Sequence, residues 1–275
     1  MTRQTVAQLE ETARLLRRDI LTMIHRAGDG HPGPALSIAD LVTALYFNIL
    51  RIDPANPGWA DRDRFLLSKG HACPALYAAL ARRGFFPLSL LPTFRSLGTI
   101  LQGHPDMKST PGVDMTTGSL GHGIAIGSGM AAAGRFLRTN YRVYVIVGDG
   151  ELNEGLCWEG IIAAAHLGLD RLTVFVDNNG FQSSGPVRDV SGLDGIGSRF
   201  EVFGWHCQEI NGHNFEQILE AELRAREETA RPSVIVAATV KGKGVPFMEG
   251  DNSWHKRVPD AEELRAALRA LGGES

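Results

Sequence analysis

A chain of 275 residues that is 43% hydrophobic, with a formal charge of −3, carries enough apolar side chain for a full core and reads as a soluble globular protein. Its 28 basic and 31 acidic residues are interspersed, so neither a nucleic-acid-binding stripe nor an acidic solvating tail is indicated. Glu10 and Glu11 stand near the start with no apolar h-region, and no later apolar run reaches the length of a membrane span, which argues against secretion and membrane insertion. Cys73, Cys157 and Cys207 are widely spaced with no CxxC pair, so free thiols in a reducing cytoplasm are expected in place of a zinc site or disulfide framework.

Val6, Leu9, Ala13, Leu16, Ile20 and Ile24 recur at three- and four-residue steps, which predicts a helix with one buried stripe ending near Gly28. Residues 28–34 are too rich in glycine and proline for regular structure, and Ser37 then offers an N-cap to a helix through Leu50. From about Arg142 compact β-rich runs alternate with helix: 143–147, a helical stretch near 154–167, then 172–176, a βαβ signature. Asn214 caps a later helix toward Thr229, and the apolar run 234–240 follows Pro232. The fold class is therefore α/β, a mostly parallel sheet flanked by helices. Asp260 and Glu263 form a capping-box pattern before a helix reaching Gly272, so the chain reads as a natural subunit closing on a finished element. Without internal repeat or linker, residues 1–275 read as a single domain with an N-terminal helical segment.

The strongest chemical signal is Gly148-Asp149-Gly150 directly after one strand, paired with Asn178-Asn179 directly after the next. A right-handed crossover puts both strand ends at one edge of the sheet, where ligands of open α/β folds gather. A carboxylate from Asp149, an amide oxygen from Asn179 and a nearby main-chain carbonyl suit a hard divalent ion that bridges phosphates, and Gly150 allows close backbone approach. Alone, Gly-Asp-Gly is a tight turn. A nicotinamide-binding domain would need a G-x-G-x-x-G turn, and Gly148, Gly150 and Gly155 lack that spacing.

At this point the sequence resembles the thiamine-diphosphate enzymes, whose signature is GDG followed after a βαβ interval by NN. Gly30-His31-Pro32-Gly33, Ser68-Lys-Gly-His71, Gly103-His104-Pro105-Asp106, Thr117-Gly-Ser-Leu-Gly121 and Ser253-Trp-His255 resemble successive transketolase motifs in order. The resemblance runs from about residue 10 to 260. It implies a diphosphate-binding domain of an α/β parallel-sheet fold, binding thiamine diphosphate and Mg2+. It also implies the N-terminal subunit of a split transketolase, with a partner chain carrying the pyrimidine-binding and C-terminal domains in a heterotetramer that works on sugars or sugar phosphates.

By that resemblance, Asp149, Asn179 and the Phe181 carbonyl would hold magnesium, with Gly150 near the diphosphate. Gly118 and Leu120 match positions beside the cofactor rings. His71 and His255 match histidines near the diphosphate and the reacting centre, and His31 and His104 match histidines that meet donor hydroxyls. A single histidine after glycine is commonly just a loop residue, but an imidazole suits alcohols that lose and regain protons near neutral pH. Glu154 and Glu159 match acidic residues at the subunit contact, Glu154 among the catalytic groups, with a solvated helix face as the plain alternative. Trp158 is a candidate for the same contact or for packing of the crossover helix. In the family, the glutamate that activates the cofactor belongs to the missing half. Three departures leave room for an unusual ketose: His122 where glutamine is common, Ser183-Ser184-Gly185 in place of Ile/Leu-Asp-Gly, and Lys256-Arg257 where Gly-Lys is common. Arg257 would meet an anionic substrate group or simply be a surface arginine. The rival functions are a 2-oxoacid decarboxylase or dehydrogenase component, which has no polyol to deprotonate, and a non-catalytic cofactor-binding subunit.

Overall fold

The computed structural model describes residues 3–272. The chain opens with α1 (Val6–Ala27), whose Leu9, Ala13, Leu16, Ile20 and Ile24 are all buried along one stripe, as their spacing predicts. Thr5 and Gln8 close a capping box at its start, and Gly28 ends it in the left-handed conformation at φ 64°, open to glycine without strain. The next segment departs from expectation. Pro32 starts α2 (Pro32–Ser37), because proline fits the first turn of a helix, where no intrahelical N–H is needed. Ser37 is the last residue of that helix and not an N-cap: buried, it donates to the carbonyl of Pro34 and to the carboxylate of Asp177. Then come α3 (Ala39–Ala44), a π-helical turn at Leu45–Ile49, β1 (Arg64–Leu67), a strand that the local sequence pattern does not signal, and α4 (Cys73–Arg83).

The second half of the chain runs α5 (His122–Phe136), β2 (Val143–Gly148), α6 (Gly155–His166) and β3 (Leu172–Asn178). A short hairpin of β4 (Phe181–Gln182) and β5 (Gly185–Pro186) leads through α7 (Val187–Val190) and α8 (Ile196–Val202) to β6 (His206–Asn211). The chain continues with α9 (Phe215–Glu227), β7 (Ser233–Ala238) and α10 (Ala261–Ala270). Asn214 caps α9 by accepting from the Gln217 amide, and Asp260 with Glu263 makes both halves of the expected capping box.

Among the described residues, β1, β2, β3, β7 and β6 form one sheet in that order, every pairing parallel. Side chains alternate between its faces: Tyr144, Ile146, Phe175 and Ile235 pack under α1, α3, α4 and α9, while Val143, Val145, Val147, Val174 and Val176 pack under α5, α6 and α8. Because all strands are parallel, the residues after β1, β2, β3 and β7 share one edge. Those residues are Ser68–His71, Asp149–Gly150, Asn179 and Thr239–Lys241.

Candidate active site

That edge holds a cleft of about 480 Å³ lined by His31, Lys69, His71, His104, Gly118, Leu120, Asp149, Gly150, Glu154, Asn179, Phe181, Lys241 and His255, among others. Of the residues singled out from the sequence, the four histidines, the ion-binding set, the two ring-contact positions and Glu154 thus come together. Glu159 and Trp158 do not. Glu159 is exposed on α6, and Trp158, half-buried, donates its indole N–H to the Leu152 carbonyl and packs on Phe200 and Phe203. Glu154 is the cap residue of α6 and not part of the helix.

Asp149 lies 2% exposed just past β2, where Oδ1 accepts from the Gly150 amide at 2.8 Å and Oδ2 from the Gly180 amide at 2.6 Å. Burial, and then the neighbouring Asp177, push its carboxyl up to about 7 despite those two amides. A carboxylate so disfavoured as an anion asks for a cation. Asn179 donates its amide N–H to Asp177 at 2.8 Å and turns its oxygen toward the Phe181 amide, 3.0 Å away. Gly150 also needs its lack of a side chain for packing: a Cβ there would sit 2.6 Å from Cβ of Gln182, where the loop after β2 meets strand β4. Among the described residues no three His, Cys, Asp or Glu side chains cluster as a metal site. A mixed set of one carboxylate, one amide oxygen and one main-chain carbonyl is the chemistry of magnesium rather than zinc.

Three charged groups missed from the sequence complete the floor. Asp177 is fully buried at the end of β3; burial pushes its carboxyl up, but Lys69 and then the hydroxyls of Thr239 and Ser37 hold it below the usual carboxylate range. Lys69 pairs with it, itself 3% exposed. Lys241, 1% exposed, donates to Asn252 Oδ1 at 2.6 Å and to His255 Nδ1 at 2.9 Å, and burial followed by the charge of Lys69 lowers its ammonium to about 8. The available signal for the lysines was Lys-Gly at the end of an apolar run, in Ser68-Lys-Gly-His and Val240-Lys-Gly-Lys. A buried ammonium pushed toward neutrality asks for an anion, as the buried carboxyl of Asp149 asks for a cation. A metal diphosphate meets both demands.

Above this floor the rings of His31, His71 and His255 form a triangle with centroids 5.0 to 5.5 Å apart. Burial, and then Arg95 and Lys256, lower His31 to about 4; burial and then Lys241 lower His255 to about 3. Burial and then Lys69 hold His71 well below its ordinary value, and burial with Arg95 lowers the more exposed His104. The imidazoles are therefore neutral at pH 7, able to accept at one nitrogen and donate at the other. Nδ1 of His31, which lines the cleft, is buried with no hydrogen-bond partner, and so is Oγ1 of Thr117, which lies against Gly70. His104 packs beside Gly118, where a Cβ would lie 3.5 Å from its ring.

The departures fall outside the cleft floor. His122 is exposed and donates from Nδ1 to its own loop's Leu120 carbonyl at 3.1 Å. Ser184 is exposed and accepts from Gln182, whereas Ser183 lines the cleft and its carbonyl accepts from Asn252. Arg257 stacks 4.2 Å over Trp254 and pairs with Glu263.

Residues 6–275 match the family model described as transketolase, thiamine diphosphate binding domain. The chain is 43% identical over 266 residues to 6-deoxy-6-sulfo-D-fructose transketolase subunit SqwG of Clostridium sp. (strain MSTE9), covering 97% of each chain. It is 38% identical to an apulose-4-phosphate transketolase subunit from Phocaeicola vulgatus, covering 97% of this chain and 94% of that one. The transketolase structure from Campylobacter jejuni superposes with a TM-score of 0.93 at 33% identity, over 98% of this chain but 44% of that longer chain. The chain therefore belongs to the transketolase family, as its thiamine-diphosphate-binding domain, with relatives of its own length that are transketolase subunits.

Proposed function

We propose that this chain is the cofactor-anchoring subunit of a two-chain transketolase that moves a two-carbon ketol unit from a ketose to an aldose. The observation that carries the reading is the pairing, in one cleft, of a carboxyl raised to about 7 with a lysine lowered to about 8 beneath four neutral-leaning histidines. Asp149, Asn179 and the carbonyl of Phe181 would hold Mg2+. Lys69 and Lys241 would offset the charge of the diphosphate, and Gly118 and Leu120 would border the cofactor rings. When bound, thiamine diphosphate supplies the electron sink that lets a ketose carbon–carbon bond break. His31 and His104 would orient donor hydroxyls, and His71 and His255 would relay protons near the reacting carbons. The names of both relatives point to donors with an acidic group, a sulfonate or a phosphate, and we take the donor here to be an anionic ketose of that kind.

The whole chain, 1–275, serves as one diphosphate-binding domain. Its partner carries the pyrimidine-binding and C-terminal domains, as the remaining 56% of the longer solved chain (100% less the 44% covered) suggests. The exposed Phe136 at the end of α5 and Ile162 on α6, 86% and 50% exposed, are compatible with such a partner. We take Glu154, exposed and lining the cleft, to meet that partner, in a heterotetramer. Among the described residues no helix is long and apolar enough to cross a membrane, and with free cysteines a cytoplasmic setting fits. A 2-oxoacid decarboxylase would leave the histidine triangle without a polyol to meet. The test is to assay ketol transfer from sulfonated and phosphorylated ketoses by this chain alone and with a partner carrying a pyrimidine-binding domain, with Mg2+ and thiamine diphosphate present. Transfer only in the mixture is expected, and robust turnover by the single chain overturns the two-chain reading.

A further inference from the structure

Glu151 does not match any motif singled out in the sequence; it lies at the wall of the cleft two residues past Asp149 and is only 4% exposed. Its carboxylate is bound by donors from the turn after β1, the loop before α5 and the end of β2. Oε1 accepts the Ser68 hydroxyl and the Gly121 amide at 2.9 Å; Oε2 accepts the Gly148 amide at 3.1 Å. Ser68 in turn accepts from the Gly123 amide at 3.0 Å. The three loops meet with no room for side chains: a Cβ on Gly121 would lie 2.5 Å from Glu154, and one on Gly123 would lie 2.3 Å from Ser68.

We propose that Glu151 is a positioning residue that locks the loops carrying Lys69 and His71, Gly118 and Leu120, and Asp149 into one frame, so that the cofactor meets a preformed cradle. This rests on the reading above that those loops hold thiamine diphosphate. The three partners are all donors, so the group must be a carboxylate. In Glu151→Gln, whichever way the amide is turned, an N–H faces a loop donor, and the isosteric change still breaks the lock. Preorganisation of this kind is worth affinity because the loops need not be ordered at the moment of binding.

The experiment uses the full chain. Amide hydrogen exchange is followed at Gly121, Gly123 and Gly148 and along β3, and binding of thiamine diphosphate with Mg2+ is followed by calorimetry, for wild type and Glu151→Gln. Exchange at Gly121 and Gly148 should rise about tenfold or more while β3 stays protected, and cofactor affinity should fall about tenfold to a hundredfold. Wild-type exchange at those amides, or wild-type affinity, in folded Glu151→Gln overturns the proposal. Should that variant not fold, Ser68→Ala decides: faster exchange at Gly123 with weaker cofactor binding supports the lock, and unchanged binding overturns it. If the wild-type chain binds no thiamine diphosphate, the cofactor reading fails by itself, and the exchange arm still judges the lock.

Discussion

Two buried ion pairs in this molecule look alike and do opposite things. In the first, Arg17 of α1 grips Asp40 of α3 through both terminal nitrogens, at 2.9 and 2.6 Å, and gives its third donor to the Lys243 carbonyl. His213 closes the group, with Nδ1 2.7 Å from Asp40 and Nε2 accepting from the Val240 amide. Burial pushes Asp40 up, but Arg17 and then His213 hold it below the usual carboxylate range. In the second, Asp177 is just as saturated, by Lys69, Ser37, Asn179 and Thr239. Its neighbours are not: Asp149 is driven up and Lys241 down, each toward neutrality. A closed pair holds the fold together. The open one is a charge pattern with parts left for a ligand, and the difference is visible in the direction of the shifts, since burial alone is common to both.

The contrast can be broken most sharply at Asp149. Asp149→Ala should abolish magnesium-dependent binding of thiamine diphosphate by calorimetry, while stability in urea falls by no more than about 1–3 kcal/mol, since the Gly150 and Gly180 amides lose their acceptor as a disfavoured buried carboxylate is removed. Affinity that survives the change would dissolve the metal assignment. Next, Lys69→Ala and Arg17→Ala should each cost about 3–5 kcal/mol of stability, the usual penalty for leaving half of a buried pair, yet only Lys69→Ala should also lose cofactor binding. Equal retention of binding in both would mean the two pairs are alike after all.

Smaller effects sharpen the same picture. Magnesium needs the ionised carboxylate, and burial followed by Asp177 pushes that group up to about 7. Cofactor affinity should be level at higher pH and fall about tenfold per unit as pH drops below about 7, with protons competing for Asp149. A flat titration down to pH 5 would place the proton elsewhere. Last, His104→Ala should reduce kcat/KM for the donor by about tenfold or less in the reconstituted pair, through one lost hydroxyl contact, and leave cofactor affinity unchanged.

Local patterns told the truth where local physics decides. The α1 stripe, the βαβ unit around 143–176, the Asn214 cap and the Asp260–Glu263 box are all set by side-chain period or by a bond across three residues, and each stands in the structure as read. The motifs also carried the cleft, because parallel strands bring every loop that follows one to the same edge. Ser37 shows the limit. As a serine before an apolar run it reads as a cap, but Asp177, far along the chain, offers a buried carboxylate that a hydroxyl can satisfy, and the helix was already begun by Pro32. Lys69, Lys241, Glu151 and Asp177 are the same lesson at the site itself. A charged residue in a sequence is normally solvated. Only the closing of the sheet and its helices removes the water, and only then does each charge acquire the partner, or the missing partner, that gives it a function.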